Sequence, residues 1–435
     1  MATIDLGELR EGPVLDVRPT RSRPPVARRP LWMALASLLA LTLLAADQIR
    51  PGRIAAVVPA APIARVFLVG DLLLVAQLGA GSTEGNVEVA AYPLPERADR
   101  AVQRPEPEWR TLLPALGDLA RVQAGAGALL LTSRGGRQPG PETVKLDART
   151  GRIGWRQPGV VQLDDAGQLL LFQLSVAAPT VRAVDIATGR ARWSVPAPDY
   201  GVQYHVHDGV IDRLVLLSTG GVVELRDPAN GALTHRADLE YDVSGGEQRV
   251  EVVGDLLLQI EGPTSTVTAY DLNGLRRRWR VSLPLASYLE GCAGLLCAVG
   301  VNGGLRALDP MTGVVRWSTP GPATLIAERG DRLLVLPNRR SVTRYAVLDA
   351  VTGRQLVELN ANELLSSDDA RGPLIGLRRR PGGRSVVVGL DLAAARVRTV
   401  DVITGAAGGC SVGSGPTLVC QSSDGASFGV WRWSV

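Results

Sequence analysis

The sequence has no clustered basic stripe. Its 435 residues hold 47 Lys+Arg against 43 Asp+Glu. Six of the arginines (Arg10, Arg18, Arg21, Arg23, Arg28, Arg29) and four of the acids fall within residues 1–46, leaving 41 against 39 for the rest. A nucleic-acid binder needs grouped cations to displace counterions from phosphates, so this interspersed pattern argues against a nucleic-acid partner. Lysine is almost gone, Lys145 being the only one, a bias that carries no mechanism. Histidine is scarce as well, with three in all and none after His235. That matters for two Gly-x-Ser-x-Gly segments, GCSVG (Gly409–Gly413) and GASFG (Gly425–Gly429). A nucleophile elbow needs a strand-to-helix turn and, in this chain order, a histidine that follows it, so both are decoys. There is no phosphate-binding loop, kinase signature or His-Glu-x-x-His motif. Long helical patterns are missing after residue 46, while an apolar content of 46% excludes disorder for most of the chain. His205 and His207, in YGVQYHVHDG, lie two apart on an expected strand, so their side chains should share a face near Asp208 and Asp212. Two ligands without a third make no metal site, and an exposed polar strand face is the expectation there.

What is present begins with an uncharged run. Pro30–Ala46, PLWMALASLLALTLLAA, has 17 residues, and as a helix it would span about 25 Å, just short of a hydrocarbon core of about 30 Å. Arg18, Arg21, Arg23, Arg28 and Arg29 precede it, which predicts a cytoplasmic N-terminus and residues 47–435 outside. A cleaved signal peptide is the alternative, although Leu44-Ala45-Ala46 is a poor cleavage site. The expected organisation is a disordered cytoplasmic tail at 1–29, a transmembrane signal-anchor helix at 30–46, a Pro/Ala-rich linker at 47–62 and one folded domain at 63–435.

That domain repeats itself. LDARTGRIGW, VDIATGRARW, RDPANGALTH, YDLNGLRRRW, LDPMTGVVRW and LDAVTGRQLV place Asp147, Asp185, Asp227, Asp271, Asp309 and Asp349 at intervals of 38, 42, 44, 38 and 40 residues. A period near 40 marks a solenoid or a propeller. Each Asp follows an alternating strand and opens a turn whose backbone amides its carboxylate can cap. The glycines Gly151, Gly189, Gly231, Gly274, Gly313 and Gly353 supply the positive φ such turns demand, the turn at Asp271 reading as one residue shorter. Eight residues beyond the Asp stands Trp155, Trp193, Trp279 or Trp317, replaced by His235 and Val357 in two units. An indole at that position can slot between neighbouring units and donate its N–H. Apolar runs such as ALLLTS (Ala128–Ser133) and RLLVL (Arg332–Leu336) read as inner strands, giving four strands per unit and an all-β propeller.

The Asp-x-x-Thr-Gly-x-x-x-Trp repeat resembles that of the pyrroloquinoline-quinone-like (quinoprotein-like) β-propellers over residues 63–435. Counting the units along the chain gives about eight four-stranded blades, with seven or nine possible. The unit before Trp109 is degenerate, and the last is keyed either to Asp391 or to Asp401. The strands of residues 409–433 would close the ring against residues 53–75. Cys292 and Cys297, like Cys410 and Cys420, flank an expected hairpin turn, which outside the membrane reads as two intrablade disulfides.

The family includes redox enzymes as well as propellers without a cofactor. Its quinoprotein dehydrogenases carry a Cys-Cys dipeptide over the quinone, and none occurs here. The expectation is therefore a membrane-anchored, extracytoplasmic binding or scaffold module without catalytic residues, cofactor or metal, whose partner is a protein, a peptide or an envelope polymer. The alternatives are a ligand sensor and an oxidoreductase binding pyrroloquinoline quinone.

Overall fold

The computed structural model describes residues 54–433, except short segments at 80–84, 96–101, 136–139, 168, 174–178, 199–200, 219, 240–247, 262–265, 301–303, 322, 338–343, 361–362, 366–371 and 414. The expected tail and anchor, residues 1–46, lie outside the described residues, as do residues 47–53. No helix occurs among the described residues, and none there is long and apolar enough to cross a membrane.

The described strands form nine four-stranded antiparallel sheets. Blades 1 to 8 are built from consecutive strands and cover residues 65–113, 119–158, 160–196, 201–238, 248–282, 286–318, 323–360 and 363–404. Blade 9 is composite. Its first three strands lie at 406–432, and its fourth is the N-terminal strand Ile54–Pro59, which pairs antiparallel with Ser427–Arg432. The described residues thus hold nine blades, within the seven to nine that the sequence left open around an expected eight. Residues 363–404 make a complete blade that opens on the short strand Glu363–Leu365, and the C-terminal strands add one more. The boundary expected between linker and domain at residue 62 moves as well, because Ile54–Pro59 belongs to the ring.

Burial follows from position in the sheet. Second strands have neighbours on both faces, so Ala128–Ser133 is buried throughout. Fourth strands are exposed except where one side chain turns inward, as Trp155 does from Ile153–Pro158. The core is divided accordingly into nine apolar clusters, each shared by two consecutive blades. The cluster that closes the ring joins Ala56, Val58, Phe428 and Val430 of blade 9 to Leu73, Val75 and Tyr92 of blade 1.

Alternate strands run in opposite directions, so the turns between first and second strands and between third and fourth strands emerge on one face of the ring. The Asp-Gly turns all lie on this face. Asp391 caps the turn after the third strand of blade 8, its carboxylate accepting from Ala394 N at 3.0 Å. Asp401 lies within the fourth strand of the same blade, which settles the register.

Candidate functional site

The repeated residues meet at the blade interfaces. In blade 3, Asp185 Oδ1 accepts from Thr188 N and Oγ1, each at 2.9 Å, and Gly189 N donates to Asp185 O at 2.8 Å. Asp147, Asp309 and Asp349 cap their turns in the same way, and Asp227 does so through Ala229 N and Asn230 Nδ2. The turn carries Gly at φ near +70°, and the indole of the preceding blade lies against it. A Cβ on Gly353 would sit 2.5 Å from the Trp317 ring, and one on Gly313 would sit 2.7 Å from Trp279. Each indole also donates its N–H to the carbonyl that follows the Asp: Trp155 to Ile186 O at 3.0 Å, Trp193 to Pro228 O at 3.0 Å, Trp279 to Pro310 O at 2.9 Å and Trp317 to Ala350 O at 2.8 Å. Trp109, which carries no Asp repeat before it, makes the same contact with Ala148 O at 3.0 Å and packs on Gly151.

Two interfaces invert this arrangement. Between blades 4 and 5 the donor position holds the exposed His235, and the receiving residue is Leu275, at φ 54° and buried. Leu275 fills the space from the opposite side, packing with Leu272 and Leu239. The carbonyl of Leu272 accepts instead from Arg213 at 2.7 Å. The turn at Asp271 is therefore not shortened. Leu275 N closes on Asp271 O as the glycines do elsewhere, and it is Leu275, not Gly274, that takes the left-handed conformation. Between blades 7 and 8, Val357 faces Ala395, at φ 48°. A large donor side chain thus goes with Gly on the receiving turn, and a smaller one goes with Leu or Ala.

His205 marks the same 4/5 seam. A register shift beside His205 leaves Asp212 as the extra residue on the partner strand, and the two histidines differ in burial, so the polar strand face expected there is not exposed throughout. His205 is 5% exposed, its Nδ1 bonded to Asp212 Oδ1 and its Nε2 3.4 Å from Asp255 Oδ1, while His207 lies in solvent beside Asp208. No three metal-ligating side chains are grouped for a metal ion among the described residues. GCSVG and GASFG run into strands, with no helix following either. Cys292–Cys297 and Cys410–Cys420 are disulfide-bonded, each across the first hairpin of its blade.

Carboxylates of two kinds respond oppositely to pH. The Thr188 backbone N–H, its hydroxyl and Arg192 hold Asp185 down at about 2. Hydrogen bonds from Thr150, Arg316 and Thr352 likewise lower Asp147, Asp309 and Asp349. Glu290, on the first strand of blade 6, is pushed up to about 6 by burial and by the nearby Glu251 and Glu328 carboxylates. Its Oε1 is buried without a hydrogen bond. A depressed carboxyl stabilises the fold above its unfolded pKa and loses that contribution as pH falls towards the folded value. A raised one favours the fold while protonated and loses that contribution as pH rises, here between 4.5 and about 6. Glu290→Gln is thus expected to raise the urea midpoint at pH 7.5 by the equivalent of about 1 kcal/mol and to leave it nearly unchanged at pH 4.5. Asp185→Asn should lower the midpoint at pH 7 and have little effect at pH 2.

One further feature lies on the Asp-turn face. A cavity of about 610 Å³ opens between blades 5 and 6, walled by Val253, Leu256, Leu295, Leu296, Pro310 and Met311. Beside it the turn tips of blades 6 and 7 expose Met311 (63%), Val314 (57%) and Val351 (71%). The corresponding tips of blades 2 and 5 carry Arg149 and Arg152, and Asn273 and Arg276.

A family model described as outer membrane protein assembly factor BamB matches residues 104–258 and 263–409. No curated protein matches the chain. Among solved structures, BamB from Moraxella catarrhalis is 14% identical, with 85% of this chain and 96% of that one covered and a TM-score of 0.43. The computationally designed protein Ika8 is 13% identical over 73% of this chain and 96% of that one, with a TM-score of 0.48. A europium-containing methanol dehydrogenase is 12% identical over 86% and 84%, with a TM-score of 0.42.

Proposed function

The chain belongs to the family of the outer membrane protein assembly factor BamB, and from that membership we propose that it is a non-catalytic, protein-binding scaffold. Residues 30–46 anchor it in the membrane, and the propeller stands on the extracytoplasmic side. The observation that carries this reading is the division of labour within the repeat. Its recurring residues are used in capping turns and joining blades, whereas the tips that differ between blades are exposed and apolar at Met311, Val314 and Val351. Isolated exposed apolar side chains are ordinary, but three on adjacent turns beside an apolar cavity make a contact surface. The pyrroloquinoline quinone of the family's redox members finds no matching residues: both disulfides span hairpins and neither joins neighbouring cysteines. The turn aspartates recur as caps in blades 2 to 8 and are not free to act as bases.

A photo-reactive residue in place of Val351 should give a protein adduct of discrete mass in intact cells, and one at Pro381 on the opposite face should not. The absence of protein adducts anywhere on the Asp-turn face would remove the scaffold reading. The compartment is tested by the thiols. Outside the cytoplasm all four cysteines should resist alkylation until reduced, whereas labelling without reductant would place the propeller inside.

A further inference from the structure

We infer that the cavity between blades 5 and 6 is the recognition subsite of this scaffold and takes apolar side chains of a partner segment flanked by basic residues. This rests on the protein-binding reading above. The walls supply the apolar half of the match: Val253, Leu256, Leu295 and Leu296 line it, with Met311 exposed at its lip. Its volume of about 610 Å³ lies within the roughly 300–1,000 Å³ of ligand-binding clefts and holds more than one side chain.

The rim supplies the charge. Among the described residues that line the opening, three are carboxylates, Asp255, Asp271 and Glu328, and one is a cation, Arg278. Arg278 Nε lies 3.3 Å from Asp271 Oδ2 and offsets that charge. Asp255 stays 81% exposed, 3.4 Å from His205 Nε2. Glu328 accepts from Ala293 N at 2.7 Å, which fixes it at the rim without neutralising it. An opening with uncompensated negative charge favours cations next to the inserted apolar group and disfavours anions there. The wall is also held in place before any partner arrives. Cys292–Cys297 closes the hairpin that carries Leu295 and Leu296, so little ordering cost remains for binding.

The test uses the full chain in detergent and a fluorescein-labelled octapeptide in which a Leu-Phe pair is flanked on each side by two arginines. A second octapeptide replaces the arginines with glutamates. By anisotropy the arginine peptide should bind and the glutamate peptide should bind at least about tenfold more weakly. Met311→Asp, at an exposed position, should cost about tenfold with melting unchanged, and Glu328→Gln about threefold with a shallower salt dependence. Equal binding of both peptides, no binding of either, or binding indifferent to Met311→Asp would each overturn the subsite. If that happens while Val351 still yields protein adducts in cells, the scaffold reading stands and only the subsite falls. If the adducts are missing too, both fall.

Discussion

Trp317→Ala is expected to destabilise the propeller by about 3–5 kcal/mol, read as a drop in the urea midpoint. The indole is 9% exposed, donates to Ala350 O at 2.8 Å and covers Gly353 of the next blade. Alanine leaves a cavity and strands that carbonyl. Gly353→Ala attacks the same joint from the other side. Its Cβ would lie 2.5 Å from the indole on a backbone at φ +69°, so both the ring and the turn must shift. The two residues act as a pair, and the 4/5 seam shows which other pair works there. Trp317→His combined with Gly353→Leu copies His235 and Leu275, and the double variant is expected to be more stable than the sum of its single losses by about 1 kcal/mol or more. Simple additivity would mean that the joint is two independent contacts. An unchanged midpoint for Trp317→Ala would mean that the indole contributes nothing to holding blades 6 and 7.

The repeat was legible because each of its residues answers a local demand. Asp and Thr close a turn, Gly takes a left-handed φ, and a fixed count of eight residues delivers Trp to the neighbouring turn. That count already showed the Asp271 turn to be of full length, since Trp279 keeps the same spacing as Trp155. What stayed hidden depends on contacts between residues far apart in the chain. Arg213 replaces an indole N–H across 59 positions, and nothing near it in sequence announces this. The burial of His205 rests on Asp212 and Asp255, the latter fifty positions away, and its own segment does not show it. The blade count stayed open at the ends, between seven and nine, because Ile54–Pro59 is an ordinary apolar strand with a distant partner. The cavity between blades 5 and 6 was equally invisible, because it is formed by four turns whose residues are each unremarkable in their own segment.

Ring closure gives the other large expected effect. A chain beginning at Pro62 should lose about 5 kcal/mol or more relative to one beginning at Asp47, and should be cleaved by protease within Ser427–Arg432. Removing Ile54–Pro59 takes away Ala55, Ala56 and Val58, all buried, and uncovers Phe428 and Val430. It also leaves Ser427–Arg432 with an open edge. The strand is held from both sides. Opposite Ser427–Arg432, the segment between the third and fourth strands of blade 1 runs along it: Gln103 N donates to Ala55 O and Val57 N to Gln103 O, both at 2.9 Å. That segment is the insertion that makes the first unit irregular, and it gives the closing strand a second hydrogen-bonded edge. Gln103→Pro should produce a smaller loss of the same kind, since it removes one of the two bonds. Adding a peptide of residues 54–62 to the shortened chain should restore protection of Ser427–Arg432. Protection that is already complete without the peptide would show that the three C-terminal strands of blade 9 close the ring without Ile54–Pro59. Cleavage after Ala46 would leave Ile54–Pro59 in place, so the ring closes identically whether residues 1–46 stay as an anchor or are removed.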